Sequence, residues 1–202
     1  MIAFLLAQTI AITGGTVYSA SGPKIENATV LIRDGRIAAV GSNIAVPAGA
    51  TRIDASGKWV TPGLIDGGGQ MGLTEIGAVE GTNEAGLRDS AVAASFNVLE
   101  GINPASVLIP VTRIEGVTTT LAMPSGNFVR GQAVLIDLDG RTVESMLIKS
   151  PAGMVVSLNE DSKGAGAGSR AGTAARLRRV LTDARIYAQR RSDYQRGQTQ
   201  TL

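Results

Sequence analysis

The fold is decided between residues 53 and 70, where the sequence reads IDASGKWVTPGLIDGGGQ. Its first half holds two short β-prone runs, Ile53-Asp54 and Lys58 to Val60, separated by the turn pair Ser56-Gly57. From Thr61 onward the residue pattern changes, because Leu64 and Ile65 are followed by Asp66, three glycines and Gln70. The stretch therefore predicts that a small β-rich unit ends near residue 60 and that a second unit begins at residue 61.

Upstream of this stretch, residues 9–60 consist of short strand-like runs broken by turns. Asp34-Gly35 separates two of these runs, and because glycine accepts a positive φ, the pair predicts a type I′ hairpin. We predict an all-β unit with strands over residues 10–13, 16–18, 28–33, 37–40, 51–54 and 58–60.

Downstream, residues 61–202 alternate strand-like and helix-like runs. Residues 117–122 are β-branched and apolar, which predicts a strand buried on both faces in a parallel sheet. Asp139-Gly140 separates two further β-prone runs and predicts a second hairpin. Apolar residues at helical spacing predict helices over residues 84–99 and 173–194, and the Gly-rich residues 160–172 predict a mobile loop before the second helix.

The composition excludes much enzyme chemistry. The chain contains no Cys and no His, so it has no thiolate nucleophile, no disulfide, and no imidazole to act as metal ligand or general base. A metal held by this chain would need carboxylates, carbonyls or water, a ligand set that suits magnesium or calcium rather than zinc. Aromatic residues are only 3% of the chain, which leaves few stacking surfaces for bases or sugars.

Three motifs occur in one order: the Asp34-Gly35 hairpin, D-x-x-G-K at residues 54–58, and T-P-G-L-I-D at residues 61–66. In this order and spacing they resemble the amidohydrolase superfamily. Residues 101–120 are similar to its imidazolonepropionase-like and dipeptidase-like members. The resemblance implies a mixed α/β fold, in which a β-sandwich part over residues 9–60 precedes a TIM-type (β/α) barrel over residues 61–202. Because such a barrel needs ~250 residues, we expect an incomplete one.

The same resemblance implies hydrolysis of C–N bonds in amides, cyclic amides or dipeptides by water activated on a divalent metal such as zinc. In the family, the G-L-I-D strand runs into an x-H-x-H sequence whose two histidines bind the metal. Here Gly68 and Gln70 occupy those two positions. Glycine offers no side chain, and a neutral amide is a weaker ligand than imidazole. We therefore predict no catalytic residue, no metal ligand and no cofactor in this chain, and no turnover from it alone.

Four carboxylates follow the predicted barrel strand or end it: Asp66, Glu75, Glu80 and Glu84. Acid/base work or an oxygen-ligand metal site is one interpretation, since active sites of this fold lie at the carboxyl ends of the strands. A structural role is the alternative, and it is what the resemblance implies for Asp66.

Near the carboxyl end, Gly166 to Ala171 matches the pyrophosphate-binding pattern G-x-G-x-x-A, but a long polar stretch precedes it, which favours a linker. Residues 164–202 hold eight arginines against two aspartates, a local charge of +6 that leaves −4 elsewhere. A nucleic-acid or anionic-lipid surface and the solvated face of a barrel helix both fit this cluster, and the second is simpler. The arginines are Arg170, Arg176, Arg178, Arg179, Arg185, Arg190, Arg191 and Arg196.

An incomplete barrel leaves strand edges and one helix face uncovered, which predicts self-association or a partner that supplies the missing strands. A pseudoenzyme or split-subunit module is thus the alternative to a hydrolase, and a basic nucleic-acid-binding module is the third hypothesis. Residues 1–8 are apolar like the remnant of a signal peptide but lack its basic n-region, so export to the periplasm and a cytoplasmic location both stay open. No run approaches the ~18 apolar residues of a membrane span.

Overall fold

The computed structural model of the chain describes residues 9–87, 91–126, 128–166 and 168–197. The signal-like residues 1–8 lie outside the described residues. The chain divides into two compact units, Met1–Gly63 and Leu64–Leu202.

The described part of the first unit is a single five-stranded sheet. The strands are β1 (Thr9–Val17), β2 (Ile25–Arg33), β3 (Arg36–Gly41), β4 (Thr51–Asp54) and β5 (Trp59–Val60). Their order is β3-β2-β1-β4, with β5 also pairing with β1. β1 pairs antiparallel with β2 and parallel with β4 and β5, and β2 pairs antiparallel with β3. One layer of the predicted sandwich is therefore present in these residues.

The hairpin between β2 and β3 has the predicted geometry. Asp34 and Gly35 have φ values of 50° and 73°, and a type I′ turn needs a positive φ at both positions. The two separate runs predicted over residues 10–13 and 16–18 form one strand instead, because irregularities in the β1–β2 register at Gly15 let β1 continue through its glycines. The core of this sheet consists of Val17, Ala28 and Val30, with Ile12, Ile25, Ile32 and Val60 packed around them.

The second unit contains a four-stranded mixed sheet made of β6 (Leu64–Gly69), β7 (Val117–Ala122), β8 (Val129–Asp137) and β9 (Leu147–Val156). The strands lie in the order β6-β7-β8-β9. β6 and β7 are parallel, whereas β7–β8 and β8–β9 are antiparallel. β7 has the predicted bounds, but it is parallel only to β6, and it is not buried on both faces, since Thr118 is exposed and only Thr120 and Ala122 are buried. A short connection joins β7 to β8, and a parallel return would need a crossover of a dozen or more residues.

Two helices lie between strands of this unit in sequence: α1 (Leu108–Ile114) between β6 and β7, and α2 (Val143–Met146) between β8 and β9. Two more, α3 (Arg170–Gln189) and α4 (Arg191–Gln195), follow the last strand. The predicted hairpin at Asp139-Gly140 pairs as expected, but α2 makes the connection in place of a tight turn. Thr142 caps α2 by accepting a hydrogen bond from the Ser145 N–H at 3.2 Å. None of the helices in the described residues is long and apolar enough to cross a membrane.

The helix predicted over residues 84–99 is wrong. The described residues there form an extended loop that ends in the 3-10 helix Val98–Gly101. This loop bonds to β8, because the Ala93 N–H donates to the Val129 carbonyl at 2.8 Å and the Val129 N–H donates to the Ala91 carbonyl at 3.0 Å. Ala85, Ala93 and Val98 are buried in this loop, whereas Leu87 and Ala94 are exposed, so the helical spacing of its apolar residues does not correspond to one buried face.

The loop predicted over residues 160–172 is also more regular than expected, since Glu160–Gly166 is a 3-10 helix. The helix after it begins at Arg170, three residues before the predicted start, and Arg190 separates α3 from α4. Of the α3 residues, only Thr173 is buried. The apolar stripe of α3 remains uncovered in the described residues, with Leu181 57% exposed.

Candidate functional site

The predicted ligand positions lie at the carboxyl end of β6. β6 ends at Gly69, beside Ala122 at the end of the parallel strand β7. Parallel sheets and barrels build their active sites at this edge. The register shifts between Asp66 and Gly69, and this irregularity places Gly67 and Gly68 in a bulge of β6.

The Asp66 carboxylate is held by two donors. Its Oδ2 accepts a hydrogen bond from the Thr120 hydroxyl at 2.8 Å, and its Oδ1 accepts one from the Gly68 N–H at 3.1 Å. A Cβ atom at position 69 would overlap Asp66 Oδ2, so a side chain there would displace the carboxylate from this position. Asp66 thus ties β6 to β7, which agrees with the structural role implied for it.

The space beside Gly68 is filled by a residue that the sequence reasoning missed. A Cβ atom at position 68 would overlap the Cε methyl of Met123 and lie 3.3 Å from its Sδ. The Met123 N–H donates to the Gly69 carbonyl at 2.8 Å, so β6–β7 pairing continues to Met123. The sequence places Met123 directly after a β-branched strand and hence at a strand end. It does not show which strand lies beside that end.

Gln70 is exposed and turned toward the residues that follow it. Its side-chain Oε1 accepts a hydrogen bond from the Thr74 hydroxyl at 3.3 Å, and its carbonyl accepts one from the Leu73 N–H at 2.9 Å. Among the residues that the structure describes, no group of three or more His, Cys, Asp or Glu side chains could hold a metal ion. The residues at this edge therefore do not fit the zinc that the resemblance implies.

The other candidate carboxylates lie apart from Asp66. Glu75 accepts hydrogen bonds from Asn103 Nδ2 at 3.1 Å and from Ser106 Oγ at 3.0 Å, and it thereby joins two loops. Glu75 and Glu84 line one shallow pocket and Glu80 lines another, and Asp66 is not among the lining residues of either. The structure does not bring the four carboxylates together.

The pattern at residues 166–171 lacks the setting of a dinucleotide-binding loop. Such a loop leaves a strand, whereas here the 3-10 helix Glu160–Gly166 precedes it and β9 ends earlier, at Val156. Ser169 caps α3, because its side chain accepts a hydrogen bond from the Gly172 N–H at 3.0 Å. These contacts are those of a helix start that satisfies its own polar groups.

Several arginines of the basic cluster are engaged within the chain. Arg176 donates to the Ala165 carbonyl at 2.7 Å and lies 5.6 Å from the centre of the Phe128 ring. Arg170 pairs with Glu160 at 2.7 Å. Hydrogen bonds from Lys163 and then Arg170 lower the pKa of Glu160 below its ordinary value. The amino-terminal part of α3 is thus attached to the unit by its own basic side chains.

Comparisons with known proteins bear on the family. No family model matches the chain. Over 55 residues it is 53% identical to a dihydroorotase from Pelotomaculum thermopropionicum, a match that covers 27% of this chain and 13% of the relative. Over 42 residues it is 48% identical to an imidazolonepropionase from Mycolicibacterium smegmatis, which covers 21% of this chain and 11% of the relative.

A solved amidohydrolase from Thermotoga maritima matches with a TM-score of 0.79 and 26% identity over 96% of this chain and 52% of the other. These matches support the predicted family, and the described fold corresponds to the N-terminal portion of an amidohydrolase-superfamily fold, with a sheet-rich first part and a partial barrel. It spans about half the length of the solved amidohydrolase and 13% of the dihydroorotase.

Proposed function

We propose that this chain is an amidohydrolase-type module that does not by itself carry out metal-dependent hydrolysis of C–N bonds. The observation that supports this most directly is the end of β6, where Gly68 and Gln70 stand in the family's ligand positions and the chain has no imidazole elsewhere. Asp66 is the acidic group nearest to these positions in sequence, and both of its oxygens already accept hydrogen bonds from Thr120 and Gly68.

The test is hydrolysis by the purified full chain in the presence of Zn²⁺ or Mn²⁺. Dihydroorotate and a dipeptide are suitable substrates, because relatives and the resemblance point to cyclic amides and dipeptides. We expect the same rate with metal and with excess chelator. A metal-dependent rate that the chelator abolishes, and that scales with protein concentration, would contradict the proposal.

A second function, pairing with a polypeptide that supplies further barrel elements, is favoured by the exposed edges of the second sheet. In the described residues, β6 pairs only with β7 and β9 only with β8. Leu64 and Ile65 on β6 are 60% and 68% exposed. Unpaired strand edges with apolar side chains favour the addition of further strands. The added strands can belong to a separate chain or to the same polypeptide.

Co-expression of this chain with a polypeptide that carries the remaining barrel strands, encoded by the neighbouring reading frame, tests this pairing. We expect a one-to-one complex in light scattering after size-exclusion chromatography. Ile65→Lys should abolish it, because a charge at the edge of β6 opposes strand addition. The control Val107→Lys changes a side chain that is 70% exposed and lies outside the strands, and it should leave the complex intact. Equal loss in both variants would contradict an interface at β6.

A nucleic-acid-binding role for the arginine cluster is the less favoured hypothesis. Arg170, Arg176, Arg179 and Arg196 already have acidic, carbonyl or aromatic partners within the chain. We expect no binding of labelled single-stranded DNA or duplex RNA in anisotropy titrations at low salt. Salt-sensitive binding that disappears when residues 164–202 are deleted would instead support this role.

A further inference from the structure

We infer that Met123 closes the end of β6, so that replacing Gly68 and Gln70 by histidine does not by itself create a metal-binding pair. This inference rests on the proposed function, because it names a second obstacle to metal binding at the end of β6, in addition to the missing histidines. The contact that carries it joins Gly68 on β6 to the first residue after β7.

The backbone of Met123 has little freedom to move away. Its N–H is bonded to the Gly69 carbonyl at 2.8 Å, which fixes it to β6. The next residue is Pro124, which is fully buried, and a residue before proline is restricted to extended conformations. The direction of the Met123 Cα–Cβ bond therefore follows from both flanking constraints, and relief of a clash must come from rotation within the side chain.

The Met123 side chain takes the space that a side chain at position 68 would need. Carbon atoms pack at about 3.5–4.0 Å, whereas a Cβ at position 68 would overlap the Met123 Cε and lie 3.3 Å from its Sδ. An imidazole extends well beyond its Cβ, so the thioether must leave this space entirely before a ring can enter. Methionine is flexible and Met123 is only half-buried, so the thioether can move, but it then gives up the contacts that it makes in its present rotamer.

The neighbouring Asp66 restricts the same region from the other side. Its carboxylate lies over position 69, where Thr120 and the Gly68 N–H hold it. A larger residue at 68 therefore meets the thioether while its own N–H is committed to the carboxylate. The two contacts together leave little free space for side chains at positions 68 and 69 on the sides that face Met123 and Asp66.

The metal-binding test compares three variants of the full chain. They are Gly68→His with Gln70→His, the same pair with Met123→Ala, and the same pair with Met154→Ala as control, since Met154 is 48% exposed on β9. Co²⁺ is the probe, followed by its visible absorption and by calorimetry at pH 7.5, where imidazole is mostly neutral. We expect Met123→Ala to tighten Co²⁺ binding about tenfold or more and Met154→Ala to leave it unchanged.

Equal Co²⁺ affinity with and without Met123→Ala, whether tight or undetectable, would overturn the inference. A second measurement avoids histidine altogether, in case those variants do not fold. Gly68→Ala should lower the Tm, and adding Met123→Ala should restore part of the loss. Strictly additive effects of the two changes would mean that the side chains do not conflict. Turnover by the unmodified chain is measured separately, so failure of the proposed function is distinguished from failure of this inference.

Discussion

The hydrogen bond between Thr120 and Asp66 is the side-chain contact that links β7 to the end of β6, and Thr120→Val removes it with little change of shape. Thr120 is fully buried, and its hydroxyl lies 2.8 Å from Asp66 Oδ2. A hydrogen bond to a charged group contributes about 1.5–3 kcal/mol. Asp66 is only partly buried, so water replaces part of the lost donor. We therefore expect the free energy of unfolding to fall by ~1–2 kcal/mol and the Tm of this unit to fall by about 3–8 °C.

Urea denaturation followed by far-UV circular dichroism measures this change. The single tryptophan, Trp59, lies in the other unit, so its fluorescence gives a separate readout of that unit. Thr118→Val, at an exposed position on the same strand, is the matched control and should change stability by less than ~0.5 kcal/mol.

A double-mutant cycle shows whether the hydroxyl acts through the carboxylate. In an Asp66→Ala background, Thr120→Val should cost less than about 0.5 kcal/mol, because the acceptor is already absent. An equal loss of stability with and without Asp66 would refute the reasoning, since the effect would then come from repacking of valine in the core.

Three further predictions concern other parts of the chain. Arg176→Ala removes a hydrogen bond to a carbonyl and a cation–π contact, so it should lower the free energy of unfolding by ~1–2 kcal/mol and increase hydrogen exchange early in α3. Arg179→Ala, at an exposed position, should not have this effect, and equal exchange in both variants would contradict the prediction. Gly35→Ala forces a side chain into a φ of 73° and should cost roughly 1–2 kcal/mol in thermal unfolding, whereas Gly49→Ala, with open space around it, should cost less than ~0.5 kcal/mol. The lowered pKa of Glu160 means that its ion pairs stabilise the start of α3 above the ordinary pKa and are lost as pH falls through the lowered value. Exchange protection there should fall on acidification in the native chain and vary less with pH in Glu160→Gln; identical pH profiles would refute it.

Much of the first unit was predictable because its signals are local. The Asp34-Gly35 turn and the strand Thr51–Asp54 follow from residues in direct succession, and both have the predicted form. The bounds of β7 were predictable for the same reason, since six β-branched and apolar residues in a row favour a strand wherever they lie. The loop over residues 84–99 was not predictable, because its small apolar residues satisfy a helical spacing and an extended packing equally well.

The sequence by itself determined which chemistry is absent, since a chain without histidine or cysteine has no imidazole or thiolate in any fold. It also determined the family, through motifs that are contiguous. Only the tertiary structure decided what lies at the end of β6. Thr120 is 54 residues from Asp66 in sequence, and Met123 meets Gly68 only because β7 lies parallel beside β6. Contacts of this kind depend on strand order and register, which neighbouring residues in the chain do not specify.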